Sequence, residues 1–388
     1  MIYQEPELTV EDQMVLELIS DQRQRLAKVT QNNPRRWIGA LRRSTLARAI
    51  QGSNSIEGYH ASIDEAIAAI DNEPPADGSS ETWLAITGYR DALTYILQAA
   101  QDPYFMFSKQ FLKSLHFMMI KYALDKFPGQ WRPGAIYVQN ARGEMVYEGP
   151  QAEQIDILVQ ELVEYLDAPP IKSVMVKAAI AHLNLTMIHP FKDGNGRMAR
   201  ALQTLVLARE GILHPVFCSI EEWLGRNTAE YYSILGSTGE GKWNPGKDAL
   251  PWVRFCLKAH FQQVATLLRR VNEHRDIADV IETMIKLYKL DDRMSVPLTE
   301  AARGMRLTNS RYQLDADVTA YTASRDLKKL SDMGFLEAVG ERRGRTYVVG
   351  PELKGLRGEV RIKQPVVDPY ELVRHRDNWD RYRDPLTG

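Results

Sequence analysis

Apolar and polar positions along the chain alternate mostly with a helical period. From Glu81 to Gln101, residues Ile86, Tyr89, Leu93, Ile96 and Leu97 recur at the three-to-four-residue spacing of one helix face. The stretches 8–30 and 36–51 are charged and amphipathic, and Asn72–Ser80 is a loop by its Pro and Gly content. Ser108 is placed to cap a helix running to about Lys126, which Pro128-Gly129 stops. Further helices are predicted over 152–166 and 171–188, just after Gly196 with Met198, Leu202, Leu205 and Val206 on one face, and over 221–235 and 249–274.

Two segments depart from this texture. Ala135–Gln139 and Glu144–Tyr147 read as a short hairpin with Asn140–Gly143 at its tip. A second unit is predicted to start near Asp276, with one amphipathic helix over 278–290 and another over Thr319–Met333, where Ala323, Leu327 and Leu330 face inward. A strand over 334–339, a turn at Gly340–Gly344 and a strand over Arg345–Val349 follow. A helix leading into a ribbon with a basic tip is the ending of a winged helix-turn-helix. Arg325, Lys328, Lys329, Arg342, Arg343 and Arg345 supply its positive charge, and Asp326, Asp332, Glu337 and Glu341 dilute it. That balance fits weak or regulated DNA contact better than a tight clamp, and a protein-interaction role stays open.

Composition narrows the class. At 388 residues the chain is long for one domain, so two or three are expected. With 49 Lys+Arg against 50 Asp+Glu it is neither a globally basic nucleic-acid coat nor a polyanion. Cys218 and Cys256 are too few for a disulfide framework and lack zinc-site clustering. No secretory leader is read, and no run approaches the roughly 18 apolar residues of a membrane span. A soluble, reduced, cytoplasmic protein without a membrane partner is expected.

Candidate chemistry concentrates in His189-Pro-Phe-Lys-Asp-Gly-Asn-Gly-Arg-Met-Ala-Arg200, between one helix and the next. Gly194 and Gly196 permit tight, positive-φ turns that let backbone N–H groups converge. They converge at a helix N-terminus, where unpaired N–H groups and the dipole favour an anion. Arg197 and Arg200 share one side of that helix and can grip phosphate oxygens. Asp193 is a hard oxygen ligand suited to a magnesium ion shared with phosphates. His189 has the unperturbed pKa of a general base near neutrality. Singly, each residue is ordinary; jointly they read as a nucleoside triphosphate site with a base for an incoming hydroxyl.

The segment resembles the Fic family signature HPFxDGNGRxxR at every fixed position, with Lys192 at its first free one. Gly129-Gln-Trp-Arg132 followed by Ile136-Tyr137-Val138 is similar to the family's flap, which docks a target segment as an added strand. The resemblance covers about residues 35–270. It implies a mainly α fold, with a helical region over 1–110 and a Fic helical bundle with its β-hairpin flap over 111–275; the winged helix read from its own pattern then spans 276–350, and a charged tail over 351–388 is unassigned. It implies a protein adenylyltransferase that moves AMP from ATP, with magnesium, to a hydroxyl side chain of a target protein or of itself. His189 would be the base, Asp193 the metal ligand, and Lys192, Asp193, Gly194, Asn195, Gly196, Arg197 and Arg200 the nucleotide-binding residues. Tyr232, beside Tyr231, would lie near the adenine, although core packing suits either ring. Removal of AMP, transfer of another phosphate-containing group, or a nucleotide-sensing DNA-binding regulator stay open.

Ser53-Asn-Ser-Ile-Glu57-Gly58 resembles the family's inhibitory motif (S/T)xxxE(G/N), placed on a helix over about 45–58. Ser53 and Glu57, four apart, share a helix face, and Gly58 suits the stop. The resemblance implies that Glu57 pairs with Arg200 and removes the γ-phosphate clamp. Brakes of this kind often depend on dimer contacts, so a homodimer is expected. Two weaker signals are set aside. Gly236–Lys242 nearly spells a phosphate-binding loop, but Trp243 stands where Ser or Thr should, and the segment reads as a plain loop. His182, mid-helix, reads as a packed or hydrogen-bonded structural residue.

Overall fold

The computed structural model describes residues 1–31, 37–73, 80–139, 142–340, 345–355 and 367–375. Most of the expected 72–80 loop, Asn140 and Ala141 at the hairpin tip, the 341–344 turn with Arg342 and Arg343, and most of the tail lie outside the described residues. The chain divides into two units, one of Met1–Ala27, Thr45–Ala265 and Val366–Gly388, the other of Lys28–Ser44 and Thr266–Pro365.

The first unit takes in α1 (Val10–Gln31) up to Ala27, α2 (Trp37–Ile56) from Thr45 on, α3 (Ile63–Ile70), α4 (Glu81–Ala99) and α5 (Lys109–Ile120), then β1 (Tyr137–Gln139) and β2 (Met145–Glu148). It continues through α6 (Ile155–Asp167), α7 (Val174–Ile188), α8 (Asn195–Ala208), α9 (Glu221–Arg226), α10 (Thr228–Gly239) and the start of α11 (Leu250–Leu287). α7 is the spine. It is buried along almost its whole length because it is apolar on every side, the pattern of a helix surrounded by others. α8 packs along it, and α4 packs on α8 and α5. Ser173, extended at φ −161°, starts α7 with its hydroxyl accepting from the Met175 N–H, so 171–173 precede the helix predicted to include them.

Three boundaries differ from the sequence expectation. α2 runs on past the predicted 36–51 stretch, carries Ser53 inside it and ends at Ile56, just short of the end expected for the 45–58 inhibitory helix. The predicted 221–235 helix breaks at Asn227, whose amide side chain donates to the Trp223 carbonyl at 2.8 Å. The helices predicted over 249–274 and 278–290 are a single helix, α11, so the expected boundary near 276 falls inside it. No Pro or Gly interrupts 250–287 after Pro251, and Pro is tolerated in a first turn. The 236–242 segment is no loop at its start: Gly236–Gly239 are the last turn of α10. Beyond them Lys242 bridges in parallel to Glu148 of β2.

The second unit continues from α11 through α12 (Ser295–Ala302), β3 (Leu307–Thr308), α13 (Asn309–Ala316), α14 (Ala320–Asp332), β4 (Leu336–Val339) and β5 (Thr346–Val349). Its strands form an antiparallel sheet in the order β3-β5-β4. Ile281, Leu298, Tyr312, Leu327, Leu330 and Phe335 centre its core. Ala323, Leu327 and Leu330 face inward as predicted, while α12, β3 and α13 escaped the periodicity because each is only two to eight residues long. A short helix later in the chain, α15 (Pro369–Arg374), belongs to the first unit. Among the described residues no helix is long and apolar enough to cross a membrane.

Candidate active site

α7 ends at His189, which takes a left-handed conformation (φ 51°) and donates its N–H to the Leu185 carbonyl. Pro190 cannot extend the helix. The loop that follows is closed by Asn195. Its Oδ1 accepts the Phe191 N–H and its Nδ2 donates to the Phe191 carbonyl, both at 2.9 Å. Its side chain is thus committed to the loop, and only its backbone N–H is available to a ligand. Gly194, at φ 78°, is the residue before α8 and allows the turn. Gly196 was expected to need a positive φ as well; it does not, being helical. Space is its reason: a Cβ there would overlap Glu57 Oε1 and stand 3.0 Å from Arg200 Nη1.

His189 is half-buried, and its Nδ1–H donates to the Thr186 carbonyl at 3.1 Å, leaving Nε2 as the acceptor. Burial lowers its pKa below the usual imidazole value, with the nearby Arg132 in the same direction. The neutral form that a base requires therefore prevails at neutral pH. Arg132, buried, holds the neighbouring backbone together. Its Nε donates to the His189 carbonyl and its backbone N–H to the Pro190 carbonyl, each at 2.9 Å. Its two terminal nitrogens donate to the Gly134 and Pro150 carbonyls, at either root of the β1–β2 hairpin.

Both arginines of the signature are buried. Arg200 donates through Nε to Ser53 Oγ at 2.7 Å, and through Nη2 to the Ser53 carbonyl at 3.0 Å and to Glu57 Oε1 at 2.7 Å. Burial pushes the Glu57 carboxyl up, but Arg200 and Arg197 outweigh it and hold the group below the usual carboxylate range. Gly58, at φ 86°, stops the chain just after it. Arg197 lies over the Tyr59 ring at 5.3 Å, donates to the Tyr122 hydroxyl at 3.5 Å and is 4.0 Å from Asp193 Oδ1. Arg197 Nε and Nη2 and Arg200 Nη1 are buried without a hydrogen-bond partner. Buried guanidinium donors beside the N-terminus of a helix have the chemistry that anion binding requires.

Around this centre, Asp193 is part-exposed and takes the Gly194 N–H on Oδ1 at 2.6 Å. Lys192 points away from the arginines, donating to the Asp125 carbonyl at 3.0 Å over the Phe127 ring. Tyr232 is half-exposed and its hydroxyl donates to the Ile56 carbonyl at 3.1 Å, which sets its ring beside the Glu57 turn. Tyr231 is core, its hydroxyl donating to His182 Nε2 at 3.0 Å. His182 is indeed hydrogen-bonded and buried, and Gln203 links it to His260.

In the hairpin, Tyr137 pairs with Glu148, Val138 with Tyr147 and Gln139 with Met145, with a bulge between Val138 and Gln139. Tyr137 is exposed, and the Ile136 carbonyl accepts the Gly149 N–H at 3.2 Å. The outer edge of β2 is covered by Gly241 and Trp243, whereas the outer edge of β1 pairs with nothing among the described residues. Sequence reasoning missed Tyr59, Tyr122 and His116. Tyr59 directly follows Gly58, a weak signal, whereas His116 and Tyr122 stand apart from every motif along the chain.

Residues 106–207 match the Fic/DOC family. Curated relatives called protein adenylyltransferase Fic, from Drosophila mojavensis and Drosophila melanogaster, are each 28% identical over 250 residues, which is 63% of this chain. The match spans 45% and 46% of those proteins, so the chain covers less than half of their length. A Fic family protein from Desulfovibrio desulfuricans superposes with a TM-score of 0.56 at 19% identity, over 90% of this chain and 99% of that one. Fic-1 from C. elegans superposes at 0.51 and 21% identity, over 67% and 72%. At such identities the likeness is one of fold. The helix–loop–helix of His189 to Arg200 lies inside the span, 106–207, that matches the Fic/DOC family.

Proposed function

We propose that the protein transfers AMP from ATP to a hydroxyl side chain of a protein, its own chain included, and that Glu57 restrains the reaction. The supporting observation is the pairing of Glu57 with Arg200 at the N-terminus of α8, next to guanidinium donors that lack partners. In this reading the α8 N–H groups, Arg197 and a freed Arg200 take the phosphates of ATP. Asp193 would hold a magnesium ion arriving with ATP; one carboxylate suits that ion, whose role is to neutralise phosphate charge. His189 Nε2 takes the proton of the attacking Ser, Thr or Tyr hydroxyl. The oxygen bonds to the α-phosphorus, the bond to the bridging oxygen breaks, and diphosphate leaves. Positioning and charge neutralisation carry the catalysis. Glu57 on Arg200 competes with the γ-phosphate, so ATP binds out of line. The unpaired edge of β1, with Ile136, Tyr137 and Val138, would receive the target segment as an added strand.

Incubation with ATP labelled at the α or the γ phosphate tests this. Label is expected from α only, increased at least about tenfold by Glu57→Gly and abolished by His189→Ala. Label from γ would sink AMP transfer in favour of phosphotransfer; AMP released from a premodified protein would favour removal, with Glu57 orienting a water.

A second reading concerns α14. Asp326, counted from the sequence against a basic face, is fully buried, and accepts from Arg293 at 2.6 Å and Tyr312 at 3.1 Å. Arg325, Lys328 and Lys329 stay on the exposed side, with Lys328 bonded to Asp332. The order helix, strand, helix, helix, hairpin supports a winged helix-turn-helix whose α14 contacts DNA phosphates. Gel shifts with duplex DNA from the chain's own upstream region should weaken on Arg325→Ala with Lys329→Ala; an unchanged shift, or none, counts against it.

A further inference from the structure

His116, fully buried on α5, stacks on Phe191 with ring centroids 3.7 Å apart and planes 7° from parallel. Trp131 flanks the same Phe191 ring at 5.0 Å. Both nitrogens of His116 are engaged. The Gly129 N–H donates to Nδ1 at 2.9 Å, so that nitrogen carries no proton. Nε2–H then donates to the Asp193 carbonyl at 3.0 Å. One neutral tautomer satisfies both bonds, and a doubly protonated ring satisfies only one.

The two partners belong to different parts of the site. Gly129, at φ 73°, begins the Gly129–Arg132 segment that leads into the flap. Asp193 precedes the Gly194 turn into α8, and its Oδ1 is already fixed by the Gly194 N–H. With its carbonyl fixed by His116, the Asp193 backbone is clamped on one side and its carboxylate on the other. A buried aromatic used for packing alone would need the stack but neither hydrogen bond.

We propose that His116 is a positioning residue of the nucleotide site: its neutral imidazole clamps the Asp193 carbonyl to the Gly129 amide and so holds the Asp193 carboxylate where phosphate-bound magnesium would sit. The metal half of this rests on the reading of Asp193 given above; the clamp itself does not.

The test compares the full chain with His116→Phe, which keeps the stack and loses both bonds, and with His116→Gln, whose amide N–H can reach the Asp193 carbonyl. Amide hydrogen exchange over 191–197 is measured without nucleotide, and ATP binding by calorimetry with magnesium and with EDTA. His116→Phe is expected to speed exchange in that loop about tenfold and to weaken ATP binding about tenfold in magnesium, yet less than twofold in EDTA. His116→Gln should recover most of both. Unchanged exchange in His116→Phe overturns the clamp, as does an equal loss of binding in magnesium and EDTA, which marks a general packing defect. Wild-type protein that binds ATP equally well in magnesium and EDTA would overturn the magnesium reading instead, and loop exchange would still decide the role of His116.

Discussion

Arg200 Nη2 stands 2.7 Å from Glu57 Oε1, although 143 residues separate the two along the chain. The pair lies at the first turn of α8, on the face where Gly196 leaves room for the Glu57 carboxylate. One carboxylate, one guanidinium and one missing side chain thus form a single unit, and the predictions about it concern coupling rather than separate losses.

Gly196→Ala places a methyl group against Glu57 Oε1. It should displace the carboxylate from Arg200 and raise label incorporation, in the same direction as Glu57→Gly but less. Overpacking of this kind costs about 1–3 kcal/mol. In a Glu57→Gly background, where the obstacle is gone, the cost should fall below about 1 kcal/mol. Denaturant unfolding of the four proteins measures this coupling; additive costs would separate Gly196 from the pair.

The pH profile should report the buried base. Because burial depresses the His189 pKa, its neutral form persists below the usual imidazole range. Turnover of Glu57→Gly should therefore be flat through neutrality and fall only as pH drops through the depressed value. A kcat/KM profile whose acid limb lies at or above about 6.5 would remove His189 as the titrating base.

Acid should also unfold the domain through its interior histidines. Burial holds His182 and His260 down at about 3, against 6.5 for the exposed ring. Their contribution to stability is full above the unfolded value and is lost as pH falls from there through the folded value. Tm should drop steadily below pH 6. In His182→Leu, Tyr231 and Gln203 lose a partner, which should cost about 1–3 kcal/mol at pH 7 and flatten the acid slope. A pH-independent Tm in the wild type would contradict this.

The flap should separate target use from nucleotide use. Tyr137 is exposed on β1, whose outer edge has no partner among the described residues. Tyr137→Ala is expected to lower modification of an added protein several-fold with ATP affinity unchanged. Calorimetry showing an equal fall in ATP affinity would assign Tyr137 to the nucleotide site.

Much of the centre was legible because it is local. The loop from His189 to Gly196 and the arginines one turn apart follow from helix period and turn chemistry, which act over a few residues. The Ser53–Glu57 helix was legible for the same reason, though α2 ends at Ile56, so Glu57 lies just past the helix rather than inside it. Lys192 shows the limit: its place in the motif suggested the phosphates, but its ammonium bonds to the Asp125 carbonyl. Asp326 shows it again, since a charge on an amphipathic helix faces water only if no cation from another segment claims it, and Arg293 does.

By itself, then, the sequence determined a mainly helical chain, a short hairpin and a loop leading into a helix with two arginines on one side, because hydrophobic period, glycine freedom and side-chain type are properties of short segments. The tertiary structure decided what faces that site: Glu57 rather than solvent on Arg200, His116 behind Asp193, and Arg132 fastening both roots of the hairpin to the loop. Those contacts join residues up to 143 positions apart. Their geometry is set by how α2, α5, α7 and α8 pack, and packing depends on the shape of the whole core rather than on any one segment.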